Sequence, residues 1–268
     1  LTVEATVKLC LDAFQNKTNI EKALKILTLV RDCDNFVACL MKDNGIDTLV
    51  EACKDDKNND KAVLNIFDVI SKENDEVVSM NSVEIMKRSL ETHEISLNII
   101  QRLTRSVKLR KNLIEECPDL LNVLTDMLKS GKRTNVLLET LRRVVMLNNA
   151  KKNISTNLVE QILTLCTKQN EGAMNVLYVL CASQARTMRN YVNKILDLVL
   201  KTKSNCMIRS LHCVASGWVL KDASKGKEFL KLLSGRHEMF RDFIVSLAVR
   251  ESWFSIFLSC ESMMVTLK

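Results

Sequence analysis

Ten cysteines and three histidines are the side chains of this 268-residue chain best equipped to hold a metal or attack an electrophile. A metal site needs such ligands in close, regular spacing. No two cysteines are spaced Cys-x-x-Cys, and His93, His212 and His237 stand far apart. Cys10, Cys39, Cys53, Cys166, Cys181 and Cys213 sit inside apolar runs, where a free thiol behaves as a small hydrophobe. The expectation is buried free thiols, hence a reducing compartment: the cytoplasm, with the nucleus as alternative. A catalytic cysteine needs a base beside it, and the sequence proposes none. G-x-S-x-G, Walker, G-x-G-x-x-G and H-E-x-x-H motifs are absent, so the chain reads as neither an enzyme nor a holder of metal or cofactor.

Positive charge is the second chemical resource. The stretch "RLTRSVKLRK" holds Arg102, Arg105, Lys108, Arg110 and Lys111, and "LRRV" and "NAKKN" add Arg142, Arg143, Lys151 and Lys152. With a net charge of +7, this basic zone suits an acidic protein or a nucleic acid. Aromatic residues are only 4% of the chain, which is poor provision for stacking bases. No regular pair of code residues recurs, as RNA-reading helical repeats require. A solvated charged face is the plainer alternative.

These residues must be positioned by helices. Hydrophobic residues make up 47% of the chain, with one proline and six glycines, a composition that favours an all-α protein. No stretch reaches the roughly 18 apolar residues of a membrane span. The opening "LTVEATVKLCLDAFQNK" lacks a basic leader region and reads as an amphipathic helix. Leu1 stands where a start methionine would, which suggests a piece of a longer protein.

Apolar residues then recur at helical spacing. The sets are Ala23, Leu27, Val30; Ala62, Ile66, Val69; Ser96, Ile100, Leu103; Leu137, Leu141, Val144; Ala173, Leu177, Leu180; Met207, Leu211, Val214; and a weaker Phe243, Leu247. Their lead residues are separated by 39, 34, 41, 36, 34 and 36 positions, the period of a helical solenoid. Another helix precedes most copies: "GIDTLVEACKD", "SVEIMKRSLET", "PDLLNVLTDMLKSG", "NLVEQILTLCTK", "YVNKILDLVLKTK" and "KEFLKLLSG". Short polar pieces such as "DNFVACLMKDN", "VKLRKNLIEEC" and "AKKNISTN" fit a brief extra helix. Gly131 and Gly235 fit helix C-termini. Ser155 or Thr156, Asn58 or Asn59, and Asp119 fit helix starts. No unit can bury its apolar face alone, so the pattern must return.

The stretch "NGIDTLVEACKDDKNNDKAVLNIFDVIS" resembles an armadillo repeat: a glycine-led middle helix, a hydrophilic turn and an A-x-x-x-L-x-x-L third helix. Later units drift towards the related HEAT pattern. The resemblance implies a right-handed α-solenoid of about six to seven repeats spanning 1–268 as a single domain, with residues 236–268 a cap or truncated repeat. It also implies that the third helices line a concave groove, to which each presents its third and seventh residues. Those positions are Lys25 and Leu29, Leu64 and Asp68, Asn98 and Arg102, Glu139 and Arg143, Asn175 and Val179, and Arg209 and Cys213. Importin α-like proteins need a Trp and Asn ladder there. The two tryptophans, Trp218 and Trp253, stand at none of these positions, which disfavours nuclear localisation signals.

The expected partner-binding strip is Asp68, Asn98, Arg102, Glu139, Arg143, Asn175 and Arg209. Arginine forks suit carboxylates and asparagine suits backbone amides, so a partly acidic extended or helical segment of another protein fits best. The expected function is a non-enzymatic protein-binding scaffold or adaptor. Two alternatives stay open: an RNA- or DNA-associated repeat protein using the basic zone, and a chaperone-like array using apolar residues such as Leu29 and Leu64.

Overall fold

The computed structural model describes residues 2–73, 83–90, 92–147 and 154–219. The expected cap at 236–268 and the "FIVSLAV" copy lie outside them, as do Lys151, Lys152 and Gly235. The chain divides into two compact units, Leu1–Asn153 and Ile154–Lys268. The described residues form helices joined by short turns, with no strand among them.

The first unit runs α1 (Val3–Gln15), α2 (Ile20–Val30), α3 (Phe36–Met41), α4 (Gly45–Cys53), α5 (Asp60–Glu73), α6 (Val83–Arg88), α7 (Glu94–Leu103), α8 (Val107–Glu116), α9 (Leu120–Lys129) and α10 (Thr134–Val145). The second runs α11 (Thr156–Thr167), α12 (Glu171–Ser183), α13 (Ala185–Met188), α14 (Val192–Thr202) and α15 (Asn205–Val219). The six sequence copies led by Ala23, Ala62, Ser96, Leu137, Ala173 and Met207 fall on α2, α5, α7, α10, α12 and α15.

Burial follows the sequence period in the later copies, whereas Val30, Ala62 and Val69 of the first two are only half-buried and α5 encloses Val63, Leu64, Phe67 and Ile70 beside Ile66. Ser96, Ile100 and Leu103 are buried, as are Leu137, Leu141 and Val144, and Ala173, Leu177 and Leu180. Each large apolar side chain so enclosed contributes about 1.5–3 kcal/mol relative to exposure. These stripes cover one another. In the first unit α2 packs on α5, α5 on α7 and α7 on α10; in the second α12 packs on α15 and α11 on α14.

Local chemistry fixes where the helices begin. Asn19, Asn35 and Asn44 take left-handed φ values of 49°, 63° and 57° immediately before α2, α3 and α4, a region asparagine tolerates better than most residues. Side-chain oxygens of Thr2, Ser106, Ser155 and Asn170 accept from the first-turn amides of α1, α8, α11 and α12, satisfying donors that otherwise have no intrahelical partner. Asp119 precedes α9 without a side-chain cap bond. Asp56 accepts from the Asn58 amide at 3.0 Å and so caps the 3-10 turn Lys57–Asn59, after which α5 begins at Asp60. Gly131, at φ 70°, closes α9 as expected.

Gly45 is set by space. A Cβ there would collide with the Leu40 carbonyl oxygen and lie 2.9 Å from Leu11 Cδ1. The helix therefore starts hard against α3 and α1.

The cysteines of the described residues are free thiols; Cys33 is exposed, and Cys10, Cys53, Cys117, Cys166 and Cys181 are buried. Burial pushes the Cys53 and Cys166 thiols up to about 12 and Cys117 to about 11, so at neutral pH they are protonated packing groups. Among the described residues no helix is long and apolar enough to cross a membrane.

Gly45→Ala is expected to destabilise the protein by about 1–3 kcal/mol, the range for overpacking against backbone. Gly131→Ala, with open space but positive φ, is expected to cost only about 1 kcal/mol. Urea unfolding that ranks them in the opposite order would contradict the Gly45 contact. Brief native alkylation followed by peptide mass mapping should label Cys33 first and spare Cys53, Cys166 and Cys181 until the protein unfolds; early labelling of those three would place them at the surface.

Candidate functional site

The seams between successive long helices in the first unit are crossed by arginines. From α7, Arg102 donates through Nε to Ser71 Oγ at 2.9 Å and through Nη2 to Asp68 on α5. From α10, Arg143 donates through Nη1 to the Gln101 carbonyl of α7 at 3.0 Å. At the start of α10, Arg133 donates to Asn98 Oδ1 at 3.1 Å and pairs with Glu94 at 2.9 Å. These partners are 34, 42 and 35 residues apart, close to the sequence period. Asp68 and Arg102 both occupy the seventh position of their copies.

Asp68 also holds Lys72 at 2.7 Å. Burial alone would raise the Asp68 carboxyl, but hydrogen bonds from Lys72 and Arg102 outweigh it and hold its pKa below the usual range. On α10, Glu139 is bound by two arginines. Arg142 reaches it at 2.8 and 2.9 Å and Arg143 Nε at 3.0 Å. The Arg142 hydrogen bond, against the opposing effect of burial, keeps the Glu139 carboxyl below its ordinary value.

The structure thus joins Asp68 with Arg102, and Glu139 with Arg143, as internal pairs on half-buried ground. Asn98 is engaged by Arg133. In the second unit Asn175 and Arg209 are exposed, and the Cys206 thiol of α15 donates to the Met174 carbonyl of α12 at 3.2 Å and to Asn175 Oδ1 at 3.5 Å. Of the neighbouring apolar positions, Leu29 is 81% exposed and Leu64 fully buried.

The basic zone separates by depth. Arg105, Lys108 and Lys111 are exposed, with Lys111 3.9 Å from Glu115. Arg142 is committed to Glu139. Arg110 is buried, and its Nη1 donates to the Arg143 carbonyl at 2.9 Å.

Sequence reasoning missed a second set of partners. Buried Asp60 accepts from Arg88 and, at 2.9 Å, from Ser89 Oγ. Arg88 also donates to the Cys53 and Lys54 carbonyls ending α4. Close by, α4, α6 and the end of α8 border a cleft of about 620 Å³ lined by both signs of charge, including Asp47, Glu51, Lys87 and Glu116. Its Lys87 pairs with Asp119 at 2.7 Å. Among the described residues no group of His, Cys, Asp or Glu is arranged to hold a metal ion.

No family model, curated protein or solved structure matches this chain.

Asp68 and Glu139 have depressed folded-state pKa values. Their contribution to stability is present above about pH 4, where unfolded carboxyls ionise, and is lost as pH falls through their lower folded values. Asp68→Asn should therefore flatten the loss of stability on going from about pH 6 to pH 3. An unchanged slope in urea midpoints across that range would remove Asp68 from the acid response.

Proposed function

We propose that this chain is an armadillo-like α-solenoid, right-handed and without enzymatic activity, that acts as a scaffold holding a segment of another protein along its successive long helices. The observation that carries the reading is the alignment of equivalent positions. Helices one period apart lie side by side, and residues one period apart, Asp68 and Arg102, meet. The same is true of Glu160 on α11 and Lys194 on α14, 34 residues apart and 2.7 Å from contact atom to contact atom. Stacked repeats bring like positions together in this way.

Equivalent positions are polar in both units: Asn98, Glu139 and Arg143 are half-buried in the first, and Asn175 and Arg209 are exposed in the second. Arginine and asparagine there fit a partly acidic extended or helical segment. Free thiols among the described cysteines support a reducing compartment, the cytoplasm, with the nucleus as alternative. A second reading, association with RNA or DNA, draws on exposed Arg105, Lys108 and Lys111. Its signature is retention on any polyanion, falling steeply with salt.

In small-angle scattering the 268-residue chain should give a radius of gyration well above the roughly 18 Å of a compact globule of that length. A value near that figure would overturn the solenoid. In affinity capture from native extract, a variant carrying Asn175→Ala and Arg209→Glu should lose specific partners by about tenfold, a free-energy change of ~1.4 kcal/mol. Equal recovery by both proteins would remove this face from binding.

A further inference from the structure

Arg110 is the buried cation among the described residues, 8% exposed. Its Nη1 donates to the Arg143 carbonyl, and its buried Nε meets no acceptor among the described residues. The fold treats its buried anion differently: Asp60 is met by the Arg88 guanidinium and the Ser89 hydroxyl. Arg110 has other guanidiniums as neighbours. Burial first, then the charges of Arg143 and Arg142, hold its pKa below the usual arginine value. One carboxylate, Glu139, serves both Arg142 and Arg143. The cluster thus sets three cations against one anion, and a buried charge lacking a counter-ion is costly.

We propose that Arg110, Arg142 and Arg143 form a receptor for one oxyanion, a carboxylate or phosphate, carried by the protein segment that the scaffold holds. The carrier rests on the scaffold reading; the anion site does not. Arg142 spends Nε and Nη2 on Glu139, so its Nη1 remains for an incoming oxygen. The arriving group enters past Arg142 and Glu139, which are both partly exposed. It supplies the counter-charge that Arg110 lacks. Planar guanidinium forks suit both planar carboxylates and tetrahedral phosphates. Glu139 is the resident competitor, ionised at neutral pH and holding the same forks.

The test uses the full chain in thermal unfolding, with inorganic phosphate compared against chloride at equal ionic strength. Phosphate should raise the midpoint beyond chloride, and Arg110→Met should abolish the increment. Arg142→Gln, at a partly exposed position, gives a second variant should Arg110→Met fail to fold, and should abolish it too. Glu139→Gln should act in the opposite direction, tightening phosphate binding by about tenfold as a competing charge is removed. Equal effects of phosphate and chloride, an increment retained in Arg142→Gln, or weaker binding in Glu139→Gln would each overturn the site. A decaglutamate peptide should displace phosphate while decaglutamine does not, which supports a protein carrier. Phosphate binding that decaglutamate leaves untouched would uphold the anion site and overturn its assignment to an acidic protein segment.

Discussion

A helix of ten to fourteen residues is marginal in water and persists only when its apolar stripe is covered. That constraint governs this chain, whose α5, α7 and α10 have 14, 10 and 12 residues. In α10 the side chains of Leu137, Leu138, Leu141, Val144 and Val145 are all fully enclosed. Their cover comes from α9, the helix just before, together with α7, a helix of the same kind one period away. Where two stripes meet, arginines such as Arg102 and Arg143 reach across from one helix to the next.

Those margins handle charge in graded ways. Pairs on largely exposed ground, such as Lys25 with Glu21, contribute little to stability. Arg102 with Asp68, and Arg88 with Asp60, are more enclosed and bridge different helices; losing either partner would strand a charge in a poorly solvated place. At Arg110 the described residues leave a cation without its opposite. Among the described residues, the cluster around Glu139 is therefore a place where cations outnumber anions.

The helices were legible in the sequence because their period is repeated and their apolar residues are large. Ser96, Leu137, Ala173 and Met207 are buried as their spacing required. The repeat pattern places Leu64 on a groove, but the side chain is enclosed because α5 packs against α2, α3, α4 and α7. The four-residue α13 is too short to show a period and was not foreseen. Arg110 looked like one more member of a basic run. Its position was nonetheless readable: it falls with Leu109, Leu113 and Ile114 on the buried stripe of α8, and only charge-based grouping concealed that. The Asp68–Arg102 pair could have been found from its 34-residue separation, which equals the distance between the lead residues of those two copies. Arg88 and Asp60 belong to no repeated position, so nothing periodic pointed to them.

The six glycines and one proline give the impression of a chain that seldom bends. Asparagine corrects it. At positions 19, 35 and 44 it adopts the left-handed backbone that glycine more often supplies, and its amide keeps each corner wetted. Lys17, Arg133, Gln169 and Lys203 take the same conformation, so the cornering instructions are written in residues not usually counted as breakers. Counting conventional breakers in chains of this composition would therefore merge neighbouring rods into one and overstate their length.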